Sequence, residues 1–345
     1  MSRMPERVTI SDVAAVTGVS KAAVSKAFNN RPGVSEETRQ RILTAAARLG
    51  WRPNAAAVAL AAGGPGAIGL ILDRPTDVLS SDPFFPELLS GVERALAPLG
   101  YALLLRICTV GTAAEERALY TGLALEQRVE GVLVADPRMT DERIELLQEL
   151  RLPAVLISRP WRESGLPWVG PEQPGAGIDL AVRHLARLGH RRIAYVRGPD
   201  SLAHISYRLR LFRDAVRECG MTAVAVEEAD FTAAGGARAT RALLRRPERP
   251  TAVVYDSDVM AIAGVQVAQE CGLSVPDELS VVGHDDLPLS QWITPRLTTV
   301  RQDVQGLGER AALRLMQELN VEAPAPTPLP APVLTERAST APPRH

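Results

Sequence analysis

At 345 residues, 46% hydrophobic and 23% charged, the chain reads as a soluble globular protein of two or three domains, long enough for a large core. No apolar span approaches membrane length and no apolar signal segment opens the sequence, so a cytoplasmic protein is expected; the most apolar early stretch, Val58 to Leu72, is broken by Gly63, Gly64, Pro65 and Gly66. The formal charge of −1 conceals a net +5 over residues 1–65 and a net −6 over the rest, the asymmetry of a nucleic-acid-binding head on an acidic body.

In chain order, Ser11 is placed to cap a short helix beginning at Asp12, with Val13, Ala14 and Val16 on one side. Gly18 interrupts it, and Ser20 caps a second helix running to about Phe28. Ala14, Gly18 and Val24 have helix-turn-helix spacing: a small residue for close approach, a glycine for the turn, and a branched residue to pack the second helix on the first. On the outward face of the second helix, Lys21, Ala22, Ser25, Lys26 and Asn29 recur at intervals of three and four. The chain has two lysines against 37 arginines, and both lysines are here. Lys and Arg make the commonest specific contacts to guanine edges, while Ser and Asn bond to bases or phosphates. After a loop at Arg31 to Val34, Ser35 caps a third helix with Glu36 and Glu37 at its positive end, Ile42, Ala46 and Leu49 as its buried stripe, and Gly50 to close it. Arg52-Pro53-Asn54 then opens a short Ala-rich helix with one large apolar residue, Leu60.

The run VTISDVAAVTGVSKAAVSKAFNNRPGVSEETRQRI, followed by RPNAAAVAL, resembles the DNA-binding domain and hinge of the LacI/GalR (lactose/purine-repressor) family. The resemblance implies that Lys21, Ala22 and Lys26 read bases in the major groove. It places Thr9, Ser20, Ser25, Asn29, Ser35, Thr38 and Asn54 at phosphates or groove edges. Ala57 and Leu60, on a hinge helix over about 53–62, match the positions that enter the minor groove, Leu60 as the wedge that unstacks the central base step. Ala23 stands where the family usually has Thr, Lys26 where it more often has Arg, and Val58 where a polar or basic residue is frequent. Lys lacks the planar fork of Arg, so looser base discrimination is expected at position 26.

Residues 63–66 read as a linker. Gly64, Gly66 and Gly69 spell GxGxxG, but they precede the strand Ala67 to Leu72 instead of joining a strand to a helix, so no dinucleotide site is expected. From Ile68 onward about seven continuous apolar runs alternate with amphipathic segments, the pattern of parallel sheets covered on both faces. That number exceeds one sheet. The expected fold is therefore α/β: an all-α helix-turn-helix head with hinge helix over 1–62, then two doubly wound parallel-sheet subdomains with a cleft between them over 67–340. The first takes about 67–160 and 292–320, the second about 161–291 and 330–340. The strand-like Leu297 to Arg301 and the helix Val304 to Leu319 should both return to the first subdomain. Val321 to Pro330 should be loop, Pro332 to Ser339 an edge strand, and 341–345 a disordered tail.

The body, through Asp82-PFFPELLSGVE, His184-LARLGHRRIAYVRG and Leu273-SVPDELSVVGHDD among other pieces, also resembles that family's effector domain, related in fold to periplasmic sugar-binding proteins. Ligands in open α/β sheets sit beyond the carboxyl ends of the strands, where Ser158, Arg159 and Trp161, Ser257 and Asp258, and Asp285 and Asp286 fall. The resemblance implies an effector pocket at Phe84, Phe85, Ser158, Arg208, Phe231, Ser257, Asp285 and Gln302; Trp161, just past a strand end, joins the expected effector-binding set, and Trp292 is also expected near the cleft mouth. An Arg and an Asp can each bond adjacent hydroxyls and Phe231 offers a face to a ring, so a sugar is the expected effector; a nucleobase suits the same groups. The family's habits are broken at Pro171-Glu172, Leu211 and His284, the last either a mild pH sensor or a hydrogen-bonded structural histidine. Asp258 is expected to brace the helix it begins.

An enzyme is not expected. The chain has no GxSxG elbow, phosphate loop, HExxH or paired-Cys site, and Asp285 and Asp286, adjacent on a strand, point to opposite faces. Cys108, Cys219 and Cys271 are too far apart for a metal cluster or disulfide framework and are expected to be buried thiols. No cofactor and no metal are expected. The residues read as a ligand-responsive, sequence-specific transcriptional regulator, a repressor in the family's usual form. As a homodimer, with a tetramer left open, it would bind a pseudo-palindromic operator in double-stranded DNA. The rivals are a sugar receptor with no DNA role and a regulatory head fused to an enzyme such as a sugar kinase.

Overall fold

The computed structural model describes residues 8–28, 32–51, 64–74, 79, 82–108 and 111–344. It divides into two compact units, Met1–Gly66 and Ala67–His345.

The head is built from α1 (Ile10–Thr17), α2 (Lys21–Phe28) and α3 (Glu36–Leu49). Helix α1 starts at Ile10 and not at Asp12, because Thr9 is its cap: Asp12 Oδ2 accepts from the Thr9 N–H at 2.7 Å and from its hydroxyl at 2.8 Å. Gly18 takes the left-handed turn at φ 66°. Ser20 Oγ accepts from the Ala23 N–H, and Ser35 Oγ from the Thr38 N–H, so both expected caps are in place. Val13, Ala14, Val24, Ala27, Ile42 and Ala46 form the core, with Phe28 edge-on to Trp51 at 5.1 Å. Val16, expected beside Val13 and Ala14, is exposed, and Thr17 is buried instead, its hydroxyl donated to the Val13 carbonyl at 2.6 Å. The proposed hinge helix lies outside the described residues.

Apolar runs with both faces covered become two parallel sheets. The first has the order β2-β1-β3-β4-β5, where β1 is Ala67–Leu72, β2 Ala102–Ile107, β3 Gly131–Val134, β4 Ala154–Ile157 and β5 Trp168–Val169. The second has the order β11-β10-β9-β8-β6-β7, with β6 Arg192–Arg197, β7 Thr222–Glu228, β8 Ala252–Tyr255, β9 Ser280–His284, β10 Thr298–Arg301 and β11 Val333–Thr335. Among the described strands only the edge strand β11 runs antiparallel. Helices α4 (Phe84–Leu96), α5 (Ala113–Leu125) and α6 (Glu142–Glu149) belong to the first sheet, and α7 (Ala176–Arg187), α8 (Ala203–Glu218), α9 (Ala233–Leu244) and α10 (Asp258–Glu270) to the second.

The chain passes between the sheets three times, at 170–175, at Gln302 and Asp303, and through 319–332. The second passage corrects an expectation. Strand β10 stays in the second sheet, while α11 (Val304–Glu318) returns to the first and packs on α4. Its apolar run suits either sheet, but the Thr299 hydroxyl donates to Asp258 and the Thr298 N–H to Ser339, both partners in the second. Likewise β5, expected beyond the first subdomain, pairs with β4 there. Helices α4 and α11 meet at glycines: a Cβ on Gly91 would lie 2.0 Å from the Gln305 carbonyl oxygen, and one on Gly308 2.2 Å from that of Leu88.

The end of the chain departs from the expected disorder. Ala341 donates its N–H to Ser280 and its carbonyl meets His190 Nε2 at 3.0 Å, which holds residues 341–344 against the second sheet. The cysteines differ too: Cys108 is buried, Cys219 half-buried and Cys271 exposed, the last two just past the ends of α8 and α10 where side chains reach solvent. Among the described residues no helix is long and apolar enough to cross a membrane.

Candidate DNA-reading helix and ligand cavity

In the head, α2 buries Val24 and Ala27 and turns Lys21, Ala22 and Lys26 outward, with Ser25 partly exposed. The expected base-reading face is thus a continuous strip on a helix two turns long. Thr9, Ser20 and Ser35 are exposed at helix starts, where N–H groups and the helix dipole favour a phosphate, and Thr38 is half-buried beside Ser35. Asn29, Asn54, Ala57 and Leu60 lie outside the described residues.

In the body a cavity between the two sheets is lined from both and from all three passages. It collects Phe84, Phe85, Ser158, Arg208, Phe231, Asp285 and Gln302 from the expected set. Two members of that set fall elsewhere. Ser257 is 1% exposed and spends its hydroxyl oxygen capping α10 through the Met260 N–H. Trp161 leans on Tyr207 with ring centroids 5.0 Å apart, in a groove with Leu209 and Arg210 on the outer side of α8. Trp292 is 80% exposed and also lies off the cavity.

The polar framework centres on Arg208. Its guanidinium donates to the Asp256 carbonyl and carboxylate, each at 3.2 Å, and reaches His284 Nδ1 at 3.4 Å. Asp256 is itself fixed by the Tyr195 hydroxyl at 2.5 Å and the Gly198 N–H at 2.9 Å. Asp285 Oδ1 accepts from Gln302 at 2.6 Å and meets His284 Nδ1 at 3.0 Å. Burial works to raise the Asp285 carboxyl, but His284, Arg208 and Gln302 outweigh it and hold it below its ordinary range. His284 is 3% exposed and hydrogen-bonded within this framework. Asp285 and Asp286, expected as strand neighbours, instead lie just past the end of β9, both with positive φ; Asp286 pairs with Arg337.

The apolar part consists of Phe84 and Phe85, edge to face at 5.4 Å, and Phe231, whose ring lies under Arg74 at 5.0 Å and near the His204 ring at 6.4 Å. Gly198 must be a glycine here, since a Cβ would come within 2.2 Å of the Phe231 ring. Asp136, Ser158, Phe231 and Asp285, all close beyond strand ends, have φ of 51°, 95°, 64° and 102°. Such left-handed backbone is costly outside glycine and gathers at functional sites.

Arg74, Asp82, Asp136, His204 and Asp256 also line the cavity and were missed from sequence. Asp256 follows β8 directly, and Arg74 and Asp136 lie two residues past β1 and β3, so the same rule about strand ends would have found all three. Asp82 and His204 carry no such mark. Asp258 is expected to brace the helix it begins, but Ser257 caps that helix, and Asp258 instead accepts from the Leu287 N–H and the Ser290 and Thr299 hydroxyls on other segments. No three His, Cys, Asp or Glu side chains converge as a metal site would need, among the described residues.

A helix-turn-helix head followed by a two-sheet receptor body defines a class of proteins: DNA-binding transcriptional regulators. Comparison with known proteins specifies it. Residues 9–54 match the bacterial regulatory proteins of the lacI family, and residues 182–340 the periplasmic binding protein-like domain. Over 345 residues the chain is 34% identical to the HTH-type transcriptional regulator MalR of Streptomyces coelicolor, with 96% of each chain covered. The structure of the Lac repressor dimer bound to operator and the anti-inducer ONPF matches with a TM-score of 0.84 at 27% identity, covering 97% of this chain and 100% of that one. The complex of the transcriptional regulator CelR with cellobiose matches at 0.72 and 30% identity, covering 96% and 100%. The chain belongs to the lacI family, and it is a transcriptional regulator, not an enzyme.

Proposed function

We propose that the protein is a repressor whose affinity for its operator is set by a small polyol, in the simplest case a sugar, bound in the cavity between the sheets. One observation carries this reading: both sheets and all three connecting passages contribute to a single cavity, so a ligand that prefers the closed cleft biases the angle between the subdomains. Arg208, Asp285 and Gln302 supply the bonds that vicinal hydroxyls need, and Phe231 supplies an apolar face. The similar CelR is described with cellobiose bound. A nucleobase is the second reading, favoured by the near-parallel His204 and Phe231 rings. The head would act through Lys21, Ala22 and Lys26 at base edges, with Thr9, Ser20, Ser25, Ser35 and Thr38 at the backbone. Two copies of the chain on a twofold operator, in the cytoplasm where the DNA is, complete the arrangement. By linkage, the ligand must change DNA affinity by the factor by which DNA changes ligand affinity. The test is selection of genomic fragments by the purified protein, repeated with a sugar and nucleoside panel, followed by anisotropy titration at fixed salt. The reading fails if no compound in the panel shifts the midpoint.

A further inference from the structure

The walls of the cavity are unequal in charge. Among the described residues five carboxylates line it, Asp82, Asp136, Asp256, Asp285 and Asp303, against the guanidiniums of Arg74 and Arg208. Both cations are already held: Arg74 by Asp136 at 2.8 Å and Arg208 by Asp256 at 3.2 Å. Asp303 caps α11 through the Gly306 N–H. His204 stays neutral near pH 7, because burial and then the charge of Arg208 push it down to about 4.

Asp82 has no such partner. It is 8% exposed and lines the cavity, its Oδ1 accepts from the Phe84 N–H at 3.0 Å, and among the described residues its Oδ2 takes no hydrogen bond or ion pair. Asp285 lines the same cavity near enough for its charge to act on Asp82, and among the described residues its second oxygen takes no hydrogen bond. Burial first and then the charge of Asp285 raise the Asp82 carboxyl to about 6, with Asp136 adding to the rise and Arg74 and the Phe84 N–H opposing it. The neighbouring stretch 75–81 contains no Lys, Arg or His that could neutralise it. A buried carboxylate without a cation is costly, and an ammonium group brought by a ligand would remove that cost. A phosphate group would meet the same carboxylates with no free guanidinium to receive it.

We propose that the ligand carries a protonated amine that seats against Asp82, with Asp285 behind it, so that an amino sugar is bound in preference to the plain sugar and a sugar phosphate is rejected. This rests on the reading of the cavity as a polyol site. The experiment is calorimetry on the full chain with matched sets: glucose, glucosamine and glucose 6-phosphate, and cellobiose with its amino counterpart chitosan dimer. At pH 7.5 the amine is expected to bind at least tenfold more tightly than its neutral partner in one of these sets, with no binding of the phosphate. Asp82→Asn should reduce that preference to about one, read as the ratio of amine to neutral-sugar affinity within the variant. Neutral sugars that bind as well as their amines, or a phosphate that binds better, overturn the amine proposal and leave the polyol site standing. An absence of binding throughout overturns both. Should Asp82→Asn fail to fold, the wild-type ranking alone decides.

Discussion

The head and the body bury their apolar groups on different scales. The head has one cluster of six buried side chains, shared by three helices of which two are eight residues long. Helices that short are not stable alone, so the head depends on its caps and on that one cluster. The body packs both faces of two sheets, in four separate clusters. A loss of a few kcal/mol is most of what a small domain has, and only a part of what a large one has. The part that would touch DNA is therefore also the part that a single core change can remove.

Two substitutions test this contrast directly. Ile42→Ala takes a fully buried side chain from the centre of the head, at about 3 kcal/mol by the usual cost of such truncations. The expected result is loss of all operator binding, with the main calorimetric transition of the body and its ligand affinity unchanged. Residual specific binding at 10 °C would show a head more stable than its core suggests. In the body, Gly91→Ala forces a methyl against the Gln305 carbonyl where α4 crosses α11. Overpacking of this kind costs about 2 kcal/mol. The body transition should fall by a few degrees, with DNA binding retained at low temperature.

Acid sharpens the contrast in sign. Asp12 in the head is held below its ordinary value by the bonds from Thr9, so its contribution is present at neutral pH and lost as pH falls through its folded pKa. Asp258 in the body goes the other way. Burial raises it to about 7 despite the bonds from Ser290, Thr299 and Leu287. Between that value and the unfolded value near 4 the folded body binds the extra proton, so this group makes the body more stable as pH falls from 7 toward 4. Comparison of wild type with Asp258→Asn by urea denaturation at pH 7.5 and 5.0 isolates the effect from the other carboxylates. The wild-type gain at pH 5.0 should shrink in the variant, and an unchanged gain would assign it elsewhere.

The same difference in scale explains what could be read from the residues. The head's proposed base-reading residues lie within six consecutive positions, Lys21 to Lys26, and its caps and turn are local, so Ser20, Ser35, Gly18 and Gly50 marked its helices correctly; only the first cap was misplaced, from Thr9 to Ser11. The cavity gathers side chains from Arg74 to Pro332. Positions just past strand ends were visible, and they include Ser158 and Asp285. Position along the chain says nothing of direction, however, and Ser257 and Trp161 turn away because a helix N-terminus and the Tyr207 ring claim them. The exchange of β10 and α11 between sheets was hidden for a similar reason. An apolar strand has no address of its own, and the hydrogen bonds of Thr298 and Thr299 with Ser339 and Asp258 supply it.

The smallest effect bears on the face that reads DNA. Lys26 is exposed on α2, one turn beyond Ala22 and on the side opposite Val24 and Ala27. Removing its side chain should leave the head folded, because nothing of the core rests on it. A lysine at a base edge or phosphate contributes a point charge without a bidentate fork, so Lys26→Ala is expected to cost about 1 kcal/mol of operator binding, roughly a fivefold loss. The salt dependence tells which contact is lost. A phosphate contact weakens operator and random DNA alike and lowers the salt slope by about one, whereas a base contact weakens the operator alone. Anisotropy titrations of both duplexes at two salt concentrations separate these outcomes, and equal affinities for wild type and variant on the operator would remove Lys26 from the reading face.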